Sequence, residues 1–224
     1  MKNKIIKSHY NPNYYQSHYN YLLNDYKYYE LLAKYWKYAI FEKLNINICS
    51  NILDYGCGLG QVTAALPYVT YYDPSEYSIS FLRHKGKIAI SELELIPEHS
   101  FDYIICSHSL EHSPTPKFYL ESLHKFLKNR GKLLLILPVE KKLEKSLIPD
   151  DNQHFLCWTF QTITNLLYHC DWCPVYQSLL FNPFMLKTLG SRISSLFVIK
   201  VAYLLGKIKR SYPSLLILAE QIIS

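Results

Sequence analysis

The sequence predicts an α/β fold built on a doubly wound sheet. Short apolar runs alternate with stretches of helical periodicity along most of the chain, and that alternation implies parallel strands covered by helices on both faces. One run, Lys132–Pro138, is apolar almost without interruption, as expected of a strand buried on both sides. The first run, Ile52-Leu53, ends in an acid and three glycines at alternate positions, Asp54 to Gly60. That pattern reads as a buried strand entering a tight turn, because glycine lets the backbone bend sharply and approach a ligand.

Taken in order, residues 1–20 are polar and tyrosine-rich, with Asn11-Pro12-Asn13 as a turn signal. From Tyr21 to Leu44 a stripe of Leu22, Tyr26, Tyr29, Leu32, Trp36, Ile40 and Leu44 predicts one helix packed on the sheet. These segments form an N-terminal helical cap over residues 1–48, ahead of a main domain over 49–224. A short helix is expected after the glycine turn, closed early by Pro67. Val69–Tyr72 is the second strand. Asp73-Pro74-Ser75 then opens a helix to about Arg83, with Ser75 as its cap. Strands follow at Lys87–Ile90 and Phe101–Cys106, then a helix from Pro116 to about Leu127, a turn at Asn129–Gly131 and the strand Lys132–Pro138. Residues 139–153 read as a charged, flexible link. A helix from Thr159 to His169 and strands at Val175–Phe181 and Ser214–Ala219 complete the pattern.

Composition limits the function. The chain has 224 residues, 49% hydrophobic and 19% charged, which fits one globular domain. Glycine is scarce, at 7 residues, so three within five positions carry more weight. No secretory leader and no apolar run of about 20 residues is visible, which points to a cytoplasmic protein. The six cysteines then read as reduced thiols. Cys170 and Cys173 form one C-x-x-C without the second pair that a zinc ribbon needs.

Asp73 follows Asp54 by 19 residues, at the end of the second strand, where dinucleotide folds place an acid against ribose hydroxyls. With Asp54, Gly56, Gly58 and Gly60 matching an acid-x-Gly-x-Gly-x-Gly motif, the chain resembles the class I S-adenosylmethionine (SAM) dependent methyltransferases over roughly residues 50–180. The resemblance implies a Rossmann-like seven-stranded sheet of order 3-2-1-4-5-7-6 with one antiparallel strand, and SAM as cofactor. It places Asp54, Tyr55, Gly56, Cys57, Gly58 and Gly60 at the methionine end of SAM and Asp73 with Pro74 at the ribose. Glu92 stands where the family often has an acid for the adenine amino group, although the usual residue is Asp. Ser107 and His108, after the fourth strand, would face both cofactor and acceptor.

Leu110-Glu111-His112 and the later His154 resemble family segments on the acceptor side. His112 and His154 are candidate bases, with Glu111 as the orienting carboxylate. Glu111 and His112 could instead serve structure alone, holding the cleft wall. Some relatives bind a divalent metal through Glu-x-x-Glu-His and a later His. Here His108, Glu111, His112 and His154 resemble that set, with His108 replacing the first Glu, and three His with one carboxylate suit Zn, Mn or Fe better than Mg. Nucleobase amino-methylating enzymes carry a Pro-Pro pair where this chain has Ser107-His108-Ser109-Leu110, so that class is excluded. The implied activity is methyl transfer, at oxygen, to a small-molecule, glycan or lipid-linked acceptor. The alternatives are an RNA ribose 2′-O-methyltransferase, which the net charge of +6 leaves open without any appended RNA-binding module, and a catalytically silent SAM-fold binding protein.

One segment departs from this pattern. No acid occurs between Asp171 and Glu220, an interval holding Lys187, Arg192, Lys200, Lys207, Lys209 and Arg210. Among them runs the apolar stretch Ile193–Leu205. Residues 182–213 therefore form a basic, apolar helical insertion before the last strand. It is either a helix packed on its own domain or a second subunit, or an interfacial helix that holds the protein peripherally on the inner membrane surface.

Overall fold

The computed structural model describes residues 10–139, 147, 153–190 and 195–222. The expected flexible link at 139–153 lies almost wholly outside these residues, as do Arg192, Ile193 and Ser194.

Seven strands form one sheet: β1 (Ile52–Tyr55), β2 (Val69–Tyr72), β3 (Ile88–Ile90), β4 (Phe101–Ser107), β5 (Leu127–Pro138), β6 (Trp172–Phe181) and β7 (Pro213–Gln221). Their order is β3-β2-β1-β4-β5-β7-β6. β1 to β5 run parallel, and β7 runs antiparallel to both β5 and β6. The chain therefore has the expected order with its one reversed strand. β5 explains its own composition: Leu134 and Ile136 face one core while Leu133, Leu135 and Leu137 face the other, so no position is left for a polar residue.

Helices cover both faces. On one side lie α1 (Pro12–Leu23), α2 (Tyr26–Trp36), α3 (Glu76–His84) and, later in the chain, α7 (Ser195–Lys209). Tyr15, Leu32, Ile79 and Val198, one from each of these four helices, share one core with β1 and β5. The other face is covered by α4 (Pro116–Leu123) and α5 (Phe160–Tyr168), through Leu120, Leu123, Ile163 and Leu167. A short helix, α6 (Leu186–Gly190), precedes α7. Cap and insertion thus belong to the same layer, joined where Tyr203 of α7 meets Tyr35 and Tyr38.

Three local expectations are corrected. The helix foreseen over Tyr21–Leu44 is in fact α1, α2 and a π-helical turn at Lys37–Glu42. Asp25 makes the break: its carboxylate accepts the Tyr28 N–H at 3.0 Å and so caps a new helix. Asn11-Pro12-Asn13 is a helix start, with Asn11 Oδ1 accepting the N–H groups of Asn13 and Tyr14 and Pro12 in the first turn, where its missing donor costs nothing. The helix expected after the glycine turn is absent, and residues 61–65 form successive turns. Pro67 disfavours helical geometry at Leu66, which leaves too few residues to offset nucleation. Ser75 does cap α3 through the Ser78 N–H.

The cysteines are free thiols. Cys170 is buried in the turn before β6, and its Sγ lies 3.8 Å from the Lys117 carbonyl.

Candidate functional site

The carboxyl ends of β1, β2 and β4 converge on one cleft, the usual ligand position in an open α/β sheet. At its floor, the N–H groups of Gly56 and Cys57 donate to the Tyr72 carbonyl at 2.8 and 3.0 Å, tying the glycine turn to β2. Asp73 completes the tie. One of its oxygens accepts the Gly58 N–H and the other the Ser75 N–H, both at 2.8 Å. A carboxylate has about four acceptor positions, so this anchoring leaves capacity for a ligand hydroxyl. Burial pushes the Asp73 carboxyl up to about 6, against the pull of its two N–H donors.

Asp54 lies elsewhere than the sequence suggested. It is buried beneath the turn, where Thr63 Oγ1 donates to it at 2.6 Å, and it lines none of the cavities described below. The bond ties the end of β1 to the turns that follow Gly60. Burial drives the Asp54 carboxyl up to about 7; Thr63 opposes the rise and Asp73 adds to it. The folded protein therefore keeps a proton that the unfolded chain has released above about pH 4. Stability from this proton is fully present at low pH and is lost as pH rises through 7. We expect Asp54→Asn to raise stability at pH 8 by about 2–4 kcal/mol and to flatten the slope between pH 5 and 8. Denaturant midpoints at the two pH values test this; an unchanged slope in the variant assigns the dependence to other groups.

Two cavities of about 440 and 550 Å³ adjoin above this floor and share Gly56, Gly58, His108, His112, Tyr14 and Tyr19 as walls. The smaller holds Asp73 and Pro74 between Tyr10, Tyr72 and Phe118. The larger runs from Cys57 and Gly58 past Ser107 and His108 to Glu111, His112 and His154. Glu92, by contrast, is exposed and lines neither. Gly60 packs inward against Tyr71 and Leu82.

The tyrosines of residues 10–20 are the site residues that sequence reasoning missed. The Tyr10 carbonyl accepts the Ser75 hydroxyl at 2.7 Å, and the Tyr10 ring meets His112 edge-on at 5.7 Å. Tyr29 donates to the Leu59 carbonyl at 2.8 Å, pinning α2 to the glycine turn. The excess of tyrosine, 21 residues, was the available signal.

At the far end of the larger cavity, Glu111 is fully buried. Its backbone carbonyl accepts the Phe155 N–H at 2.9 Å, which brings His154 beside it. The His112 and His154 rings stand 4.9 Å apart. One ligand-type atom from each of Glu111, His112 and His154 lies within 4.8 Å of the others. His108 adjoins that trio without belonging to it. Its Nδ1 is 3.6 Å from Glu111 Oε1, and its Nε2 is 3.2 Å from the Ser214 hydroxyl. Its backbone has φ of 49°, 48% of its side chain is exposed, and it lines the cleft. Crowding by the cleft walls, with His154 and His112 nearby, lowers its pKa to about 4. A neutral His108 can exchange hydrogen bonds, but it is a weak base.

Comparison with known proteins agrees with this architecture. A family model described as a methyltransferase domain matches residues 15–179. Among curated proteins, none matches the sequence. Among solved structures, magnesium protoporphyrin IX methyltransferase from Synechocystis PCC 6803, with bound SAM, is similar with a TM-score of 0.61 at 14% identity, over 99% of this chain and 97% of that one. The 1,6-didemethyltoxoflavin-N1-methyltransferase of Burkholderia thailandensis, with bound 1,6-didemethyltoxoflavin and S-adenosylhomocysteine, has a TM-score of 0.56 at 17% identity, over 86% and 79%. The cyclase SpnF has 0.54 at 16%, over 78% and 75%. At such identities the likeness concerns the fold, and the family match carries the activity.

Proposed function

The chain belongs to the methyltransferase-domain family, with SAM as its methyl donor, and on that premise we propose that it methylates a hydroxyl oxygen of a small-molecule, glycan or lipid-linked acceptor. The observation that supports this reading is the two-chambered cleft. One chamber holds Asp73 beside the glycine turn, the other ends on Glu111, His112 and His154, and they meet at Gly56, Gly58 and His112. A donor in the first chamber would present its methyl group toward an acceptor in the second. The acceptor oxygen attacks the methyl carbon, the carbon–sulfur bond breaks with its electrons passing to sulfur, and the hydroxyl proton goes to a base. Alignment supplies much of the acceleration. His112 or His154 takes the proton, and Glu111 orients the ring. His108, uncharged at neutral pH, lines the wall without repelling a sulfonium cation.

Asp73→Ala is expected to weaken SAM binding about ten- to a hundredfold, since losing a hydrogen bond to a charged group costs about 1.5–3 kcal/mol. Calorimetry with SAM and S-adenosylhomocysteine measures it, and an unchanged dissociation constant in a folded variant removes Asp73 from the site. Mass-shift screening of hydroxylated acceptors then tests the transfer itself.

A second reading is favoured by the 4.8 Å spacing of the trio. Two imidazoles and a carboxylate match the donor set of Zn, Mn or Fe better than that of Mg. Such an ion, held by Glu111, His112 and His154, would lower the pKa of an acceptor hydroxyl.

A further inference from the structure

We propose that the outer face of α7 docks the protein on an anionic membrane surface, and that the channel at its C-terminal end receives an amphiphilic acceptor from that surface. The acceptor half rests on the methyl-transfer reading; the docking half stands without it.

α7 is apolar on two sides. Val198, Ile199 and Ala202 face the core and are buried. Leu196, Phe197, Leu204 and Ile208 are more than half exposed, and helical spacing places them on one continuous outward face. A solvated surface helix does not need that second apolar stripe. Lys200 and Lys207 lie within the same face and are exposed, and Lys209 and Arg210 follow at its end. Among the described residues no carboxylate pairs with any of these four, whereas Lys187 is neutralised by Asp25 at 3.0 Å. The sequence offers no nearby counter-charge, as no acid occurs from Trp172 to Ala219. Exposed apolar side chains interleaved with cations that no carboxylate neutralises complement a surface that is apolar beneath and anionic above. Among the described residues no helix is long and apolar enough to cross a membrane, and the 15 residues of α7 suit a helix lying in the interface plane.

Position connects this face to the site. Beyond Lys209 the chain passes through Arg210, Ser211 and Tyr212, which line a channel of about 670 Å³ together with Ser214 and His108. Tyr212 is 82% exposed at its rim, with the amphipathic ring that favours a membrane–water boundary. His108, Asn182 and Ser214 also line the chamber that ends on the Glu111 trio. A molecule partitioned in the interface would thus enter between Arg210 and Tyr212, with a cation at the mouth for an anionic head group.

Flotation of the full chain with vesicles tests the docking. We expect co-flotation with phosphatidylcholine–phosphatidylglycerol vesicles at low salt, release at high salt, and little binding to phosphatidylcholine alone. Leu204→Glu should reduce the bound fraction about tenfold or more while calorimetric binding of S-adenosylhomocysteine stays unchanged. Wild-type protein that stays soluble beside anionic vesicles at low salt overturns the proposal, as does equal flotation with neutral ones. A dimer that Leu204→Glu splits, from protein that never floats, assigns the face to a second copy. Failure to bind S-adenosylhomocysteine would count against the methyl-transfer reading and leave the flotation result intact.

Discussion

Glu111→Ala is expected to lower turnover by about a hundredfold or more, the usual contribution of positioned acid–base groups, while SAM affinity barely moves. Glu111 is fully buried, so its carboxylate can act only on what surrounds it. Those neighbours are imidazoles: His108 at 3.6 Å, and His112 and His154 within the 4.8 Å trio. The chamber that holds Asp73 includes neither Glu111 nor His154 among its walls. Removing Glu111 should therefore change kcat and leave the dissociation constant of S-adenosylhomocysteine nearly intact. His154→Ala should show the same split. A purely structural Glu111 gives a different result: a lowered melting temperature, with loss of cofactor binding in step with loss of turnover. Chelator dialysis separates the base from the metal. Activity that vanishes with chelator and returns with a divalent ion, with metal content following in step, assigns the trio to a cation. Full activity in metal-free protein leaves Glu111 to orient a histidine base.

What the sequence made legible is what local pattern and spacing determine. The strands are short apolar runs, and their order followed from the resemblance. Asp73 lines the cleft, as its 19-residue distance from Asp54, one crossover between neighbouring strands, implied. Long-range closure was not legible. The Ser75 hydroxyl meets the Tyr10 carbonyl across 65 residues, and nothing within residues 10–20 announces that contact, so a tyrosine-rich segment read as polar chain when it is a wall of the cleft. Asp54 shows another limit. Position at a strand end brings a side chain near the cleft, but the alternation of the strand decides which way it points, and Asp54 points down to Thr63. Glu92 was placed by analogy with an acid of different length and lies exposed. His108 was grouped with the metal candidates because it stands three residues before Glu111. Its Nδ1 does approach Glu111, at 3.6 Å, but its Nε2 is engaged with the Ser214 hydroxyl, and the close trio is Glu111, His112 and His154.

Gly56→Ala and Gly58→Ala are expected to fail in opposite ways. Both residues have positive φ, +73° and +52°, and an L side chain there costs about 1–2 kcal/mol. Their surroundings differ. A Cβ on Gly56 would stand 2.6 Å from the Ser109 Cβ, and Ser109 cannot withdraw easily, because its hydroxyl donates to the Tyr55 carbonyl at 3.3 Å and lies 3.0 Å from the Tyr119 hydroxyl. Overpacking of this kind costs about 1–3 kcal/mol. Gly56→Ala should then lose about 2–5 kcal/mol of stability in total, and cofactor binding with it, since the turn and the β4 end move apart. A Cβ on Gly58 meets nothing within 4 Å. That open space is the floor of both chambers, beside the N–H that Asp73 holds at 2.8 Å. Gly58→Ala should therefore fold with a modest drop in melting temperature while its methyl occupies volume meant for the cofactor. Melting curves with and without S-adenosylhomocysteine tell the two apart. Gly56→Ala melts early in both, while Gly58→Ala melts near the wild type when apo and gains little from ligand. If Gly58→Ala is instead stabilised by S-adenosylhomocysteine as strongly as the wild type, the cofactor does not approach the turn at Gly58, and the donor chamber must be redrawn around Asp73 and Pro74 alone.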